Sequence, residues 1–180
     1  MKLYKVLNED GSCYNGGVGR WSLPVQNDDG SWTPGEWMPP IEGELIPCEN
    51  GYHLCTIEQL FEWFGPAIFE AEYRGECIDA GDKTVVREAR LLRKTPWDER
   101  VARLFAADCA ERVLHIYEAS YPDDNRVRHC IEVARLFANG QATEDELAAA
   151  WAAAWAAWDA AQAAEREWQV GRLTEYLEGQ

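Results

Sequence analysis

Positive charge is what this chain has least of: 17 lysines and arginines stand against 32 aspartates and glutamates, a formal net charge of −15. That balance excludes non-specific attachment to nucleic acid or to an anionic membrane, both of which need a basic face. Lysine is absent after Lys94, and every later basic residue is arginine. Long apolar runs are missing too, so no segment matches the roughly 20 apolar residues that a membrane-spanning helix needs. The opening MKLYKVL is a charged strand rather than the apolar core of a signal peptide. There is no Walker loop, and Gly16-Gly17-Val18-Gly19 is too irregular to serve as a phosphate cradle. Six cysteines invite a disulfide framework, but a chain this large and apolar does not need one. These absences point to a cytoplasmic protein with reduced thiols and no cofactor. Its acidity suits a partner with a basic surface, or simple solubility.

The residues present divide by period. From Met1 to Lys94 the chain reads as short strands and turns. Leu3 to Leu7 alternates as a strand, closed by the turn at Asn8-Glu-Asp-Gly-Ser. Glycines and Asp28-Asp29-Gly30 break up the next stretch, punctuated by Trp21, Trp32 and Trp37. Thr56 and Gln59 form a capping box that predicts a short helix over 57–64. Ala67–Tyr73 alternates apolar and acidic residues as a half-buried strand, and two more strands are predicted at 77–80 and 84–92 around Gly81-Asp82.

At Thr95 the period becomes helical. Thr95-Pro-Trp-Asp-Glu predicts a capped helix start, with Val101, Leu104, Phe105, Cys109, Val113 and Ile116 at core spacing. Pro122-Asp-Asp-Asn separates a second helix with Val127, Ile131, Val133, Ala134 and Phe137 on its apolar face. Asn139-Gly140 ends it, and Thr143 with Glu146 caps a third running to about Leu177. The expected architecture is α+β: a strand-rich domain over 1–94 packed on a three-helix domain over 95–180.

That third helix carries the most telling run, LAAAWAAAWAAW from Leu147 to Trp158. Trp151, Trp155 and Trp158 are four and three apart, so on a helix they share one face of an alanine rod. The plainer reading packs this stripe on the protein's own helices. The sharper one makes it a docking surface for another chain.

Chemistry is harder to place. Cys48, His53 and Cys55 cluster in sequence, but C-x4-H-x-C matches no common zinc spacing and lacks a fourth ligand. They read as ordinary buried thiols, and no metal is expected. Cys109 and His115, or His129 and Cys130, diverge by about 100–120° around a helix and cannot form a nucleophilic dyad. The acids of Asp123-Asp124 and Glu144-Asp145-Glu146 are explained as helix-start carboxylates.

Two resemblances add to this. Gly51-Tyr-His-Leu-Cys-Thr, a short helix ending in Trp63-Phe64-Gly65, and the strand AIFEAEY resemble the central piece of ADP-ribosyltransferase-like folds. That likeness implies a ligand cleft at Tyr52 and His53, with Glu70, Glu72 and Glu88 as the acids that could complete it. In the helical half, Asp108-Cys-Ala-Glu-Arg-Val-Leu-His-Ile-Tyr-Glu, Tyr121-Pro-Asp-Asp-Asn-Arg-Val-Arg, Ile131-Glu-Val-Ala-Arg and Asn139-Gly140 follow one another in order. This succession, over Trp97 to Trp158, resembles the immunity-protein family associated with bacterial polymorphic toxins and found in phage and prophage genes. The N-terminal half resembles an uncharacterised phage-type domain often joined to it, through Gly51-Tyr-His-Leu-Cys and Gly81-Asp-Lys-Thr-Val-Val.

The leading expectation is a non-enzymatic, acidic protein-binding inhibitor from a mobile element. It would neutralise a toxin or, in the manner of an anti-CRISPR, a host defence complex. Trp151, Trp155, Trp158 and Trp168 are the expected contact residues. The alternatives are an ADP-ribosyltransferase-like enzyme or degenerate relative, and a structural homo-oligomer, a homodimer through paired tryptophan stripes. Direct nucleic-acid binding and membrane association are not expected.

Overall fold

The computed structural model describes residues 2–155. The fold is α+β, a strand-rich sheet region followed by helices, as the change of period implies. The chain divides into two compact units, Met1–Asp98 and Glu99–Gln180.

In the first unit, β1 (Leu3–Leu7), β4 (Tyr52–Leu54), β5 (Ala67–Asp79) and β6 (Thr84–Lys94) form an antiparallel sheet in the order β1-β5-β6-β4. A small separate ribbon pairs β2 (Val25–Gln26) with β3 (Trp32–Thr33). The sheet curls until its outer strands meet. Tyr4 and Cys55 exchange two backbone hydrogen bonds of 2.8 Å, joining the end of β4 to β1. Beyond β4, the segment 35–41 lies along β6, with the amides of Gly35, Met38 and Ile41 donating to the carbonyls of Leu91, Ala89 and Arg87. Pro39 and Pro40 fit there because only one side of this segment needs donors. The core is aliphatic: Leu7, Leu54, Leu91, Val85 and Val86 are fully buried.

The hairpin between β5 and β6 turns at Gly81-Asp82, where Gly81 has φ 85 and the Ala80 amide bonds the Lys83 carbonyl. The strands expected at 67–73 and 77–80 are one strand. A register shift between Arg74 and Cys77, with Gly75 at φ 80, makes a bulge where the sequence reads as a break. The predicted helix at 57–64 shrinks to a single 3₁₀ turn, Gln59–Glu62. Its capping box is nonetheless formed: Thr56 N–H donates to Gln59 Oε1 at 2.9 Å and Gln59 N–H to Thr56 Oγ1 at 3.3 Å. Gly65-Pro66 leaves no room for further turns before β5 begins.

The second unit holds α1 (Glu99–Ser120), α2 (Arg126–Ala138) and α3, whose described part spans residues 144–155. α1 begins four residues after Thr95, not at it. Thr95 still belongs to the sheet, where its amide and hydroxyl both bond the Ile68 carbonyl, at 2.9 and 2.7 Å. α1 and α2 run antiparallel, as their ion pairs show: Arg128 with Glu118, then Arg135 with Glu111 and Asp108.

These pairs settle which side of α1 faces α2. Ala107 and Leu114 pack with Ile131, while Val113 and Ile116 are 53% and 62% exposed and Cys109 is exposed too. The face expected from Cys109, Val113 and Ile116 is therefore the wrong one of two. α1 carries apolar residues at helical spacing on both sides, and the acids at 108, 111 and 118 flank the side that meets the arginines of α2. α2 ends in a Schellman motif, with Gly140 at φ 70, Gly140 N–H on Phe137 O and Gln141 N–H on Leu136 O. Thr143 and Glu146 then form the expected capping box, at 2.8 and 3.2 Å. No helix among the described residues is long and apolar enough to cross a membrane.

Candidate functional site

Each unit carries one feature of interest. In the first, a cavity of about 430 Å³ opens where β1 meets β4, and Tyr52 and His53 both line it. Tyr52 donates its hydroxyl to the Pro39 carbonyl at 2.8 Å and packs edge-on against Trp21. His53 Nε2 accepts the Cys48 backbone N–H at 3.1 Å, which places the imidazole proton on Nδ1. Burial pushes the His53 pKa down, and the ammonium groups of Lys5 and Lys83 push it the same way against the opposing Asp82. This histidine is therefore neutral near pH 7.

Sequence reasoning missed those two lysines. Lys5 sits on β1 in phase with Leu3 and Leu7, the two residues of that strand that join the main core cluster. A lysine on the core-facing phase of a strand was the legible signal. Its Nζ donates to the His53 carbonyl at 3.1 Å and lies 5.1 Å from the centre of the Trp21 ring. Burial lowers its pKa, partly offset by the thiols of Cys13 and Cys55. Lys83 is only 7% exposed; it pairs with Asp82 at 2.8 Å and lies 4.5 Å from the centre of the Trp63 ring. The hydrogen bond that it donates to the Asp82 carboxylate holds its pKa up. Trp63 is fixed in turn by its indole N–H on the Asp82 carbonyl.

The acids that the transferase likeness would need are elsewhere. Glu70, Glu72 and Glu88 pair with Arg93, Arg90 and Arg74 across the β5–β6 ladder, each directly opposite its partner in register. None lines the cavity. Three carboxylates held by guanidinium groups are sheet cross-braces, and they complete no cleft at Tyr52 and His53.

The cysteines also differ from expectation. Cys55 is buried, with its thiol pushed up to about 11, mainly by burial. Cys48, expected to be buried, is exposed, as is Cys109 on its helix. No group of three or more metal-ligating side chains gathers among the described residues. His115 turns to the Arg112 carbonyl and His129 to Glu132, so neither is directed at the cysteine with which it could have been paired.

In the second unit, Trp151 and Trp155 lie on α3, 53% and 59% exposed. Trp151 and Leu147 border an apolar cavity of about 200 Å³ shared with Ala107, Ala110 and Ile131 of α1 and α2. Behind the indoles, Ala150 is buried. Trp158 and Trp168 lie outside the described residues. At the start of α2, the Asp124 carboxylate accepts from the Arg126 backbone N–H at 3.0 Å and from its guanidinium, and it receives the Tyr117 hydroxyl at 2.9 Å. These donors, Arg126 foremost, hold its pKa well below the usual carboxylate range. Arg126 is thus spent locally, while Arg128 pairs with Glu118 and Arg135 with Glu111.

Residues 95–170 match a family model described as "Imm-5 like putative immunity protein". The match leaves the strand-rich half outside and lends no support to the phage-type likeness of that half. No curated protein and no solved structure matches the chain. An immunity-protein match suggests an inhibitor that acts by binding a protein, a role that generally needs no catalysis.

Proposed function

We propose that this protein is a non-enzymatic inhibitor from a mobile element, which binds a toxin and blocks it. The observation that carries this reading is the immunity-family match over the helical unit. The exposed indole of Trp151 beside an apolar cavity supplies the kind of anchor that dominates protein interfaces. A net charge of −15 favours a target with a basic surface, such as the substrate groove of a nuclease toxin or of a nucleic-acid-handling defence complex. Trp155, Trp158 and Trp168 extend the contact from the same C-terminal region, and the protein acts in the cytoplasm, where such targets work.

The test is neutralisation with a purified partner. A toxin captured at moderate salt is co-expressed with the wild-type protein and with Trp151→Ala, and growth and dissociation constant are both measured. Rescue of growth by wild type, with affinity at least about tenfold weaker for the variant, supports the reading. A dimer mass in light scattering that Trp151→Ala reverts to monomer, without any toxin rescued, would assign this face to a second copy of the chain and overturn it.

A further inference from the structure

The cavity at the β1–β4 seam is unlike the rest of the molecule. The chain as a whole is strongly acidic, yet this hollow draws together Lys5, Lys83 and a neutral His53. Its position is built by the fold: β1 and β4 bond to each other at Tyr4 and Cys55, and Lys5 ties the same seam by bonding the His53 carbonyl.

Both ammonium groups rest against aromatic faces, Lys5 at Trp21 and Lys83 at Trp63. An aromatic face stabilises a cation while leaving its other N–H directions available. Lys5 has three donors and spends one on a carbonyl. Among the described residues no carboxylate lies within ion-pair distance of Lys5. The Asp82 that pairs with Lys83 is itself 43% exposed. Both lysines line this one hollow, together with His53 and Cys55. Glu49 also lines the cavity, from an exposed loop position. At about 430 Å³ the hollow falls in the range of small-molecule sites, about 300–1,000 Å³, and exceeds what a bare ion requires.

We propose that this cavity binds a small organic oxyanion, with Lys5 and Lys83 holding its carboxylate or phosphate head group and Tyr14, Met38 and Tyr52 lining the space for its apolar body. The ammonium of Lys5, which has no carboxylate partner among the described residues, attracts an anion strongly where little water screens its field, and Lys83, paired with the exposed Asp82, adds a second donor. This activity is separate from inhibition by the helical unit, and neither depends on the other.

The test uses the full-length protein and three probes of similar size: phenyl phosphate, benzoate and neutral benzamide. Calorimetry at low ionic strength is expected to show saturable binding of one anion with Kd of about 1 mM or tighter. Benzamide should bind at least about tenfold more weakly, and the tighter anion identifies the head group. Lys83→Met and Lys5→Met should each weaken that anion at least about tenfold, whereas Lys94→Met, whose ammonium pairs with Glu9, should leave it unchanged. Should either variant melt early, amide shifts of His53 and Tyr52 on titrating wild-type protein locate the bound anion at this cavity instead. Equal affinity for benzamide, anion binding that leaves those amides unmoved, or no anion binding to folded wild type would overturn the proposal.

Discussion

Lys5 shows how a single residue can carry opposite consequences for stability and for binding. Burial lowers its pKa from the ordinary 10.5, so between the folded and unfolded pKa values the unfolded chain holds more protons. Stability then rises with pH across that window, and below it the buried charge is a standing cost. Lys5→Met is accordingly expected to raise the thermal midpoint at pH 7, with the gain shrinking as the pH approaches 10.5; melts at pH 7 and 10 check this. A gain that did not change with pH would mean that the ammonium is already solvated. Gly51 tests steric fit in the same neighbourhood. Its φ is +150 and a Cβ there would lie 2.3 Å from Val85 Cγ1, in a side chain with no freedom to yield because Val85 is fully buried. Gly51→Ala should cost about 1–3 kcal/mol in a urea titration, the range for overpacking a tight core. The sequence made Gly51-Tyr-His-Leu-Cys conspicuous and led to Tyr52 and His53. It hid Lys83, because a residue following Gly81-Asp82 reads as a solvated turn, and its burial depends on Trp63 arriving from another segment. Lys5 was readable from its phase between Leu3 and Leu7, had alternation been followed through the charge.

At the level of elements, the β5–β6 hairpin is braced by three ion pairs directly across the ladder: Glu70–Arg93, Glu72–Arg90 and Arg74–Glu88. Glu70 is the most enclosed, and the hydrogen bond from Arg93, with Lys2 adding to it, holds its carboxyl at about 2, against the usual 4.5. A carboxyl depressed in this way stabilises the fold above pH 4.5, and that contribution disappears as the pH falls from there toward 2. Glu70→Gln should therefore cost about 1–2 kcal/mol at pH 6, discounted for the exposed Arg93 and Lys2, and nearly nothing at pH 2. Denaturant titrations at both pH values measure the difference. In the helical unit, Gly140→Ala meets no neighbour within 4 Å, so its effect isolates backbone strain at φ 70. A loss of about 1 kcal/mol is expected, read as a lower melting midpoint. Caps and stops such as Thr143 with Glu146 and Gly140 were legible because their chemistry is local. Strand continuity through Gly75 was not, because a bulge and a turn share one residue preference. The inward face of α1 was not either, since two apolar stripes compete and only the arginines of α2 decide between them.

For the whole molecule, the change of period at Thr95 located the transition from sheet to helix, but residues 95–97 complete the sheet unit. Thr95 closes the ladder on Ile68, the Trp97 ring stacks on Phe64 at 4.9 Å, and the Trp97 indole N–H bonds the Gly65 carbonyl at 2.9 Å. Trp97 also covers the small cluster of Val6, Cys55, Leu60 and Ile68. Sequence could not assign it, because Thr-Pro-Trp-Asp-Glu is a good helix start whichever residue begins the helix, and the docking of Trp97 depends on a loop thirty residues earlier. The consequence can be measured on fragments. A chain of residues 1–98 has its own sheet and its own buried aliphatic core, and is expected to unfold cooperatively in a thermal melt. A chain of residues 1–94 lacks the ring stack, the indole hydrogen bond and the Thr95 ladder contacts. In a unit of this size even about 1 kcal/mol lowers the midpoint by roughly 4–8 °C, so the shorter fragment should melt at least that much earlier. Identical midpoints would place Trp97 outside the cooperative fold of the sheet and restore the boundary to the end of β6.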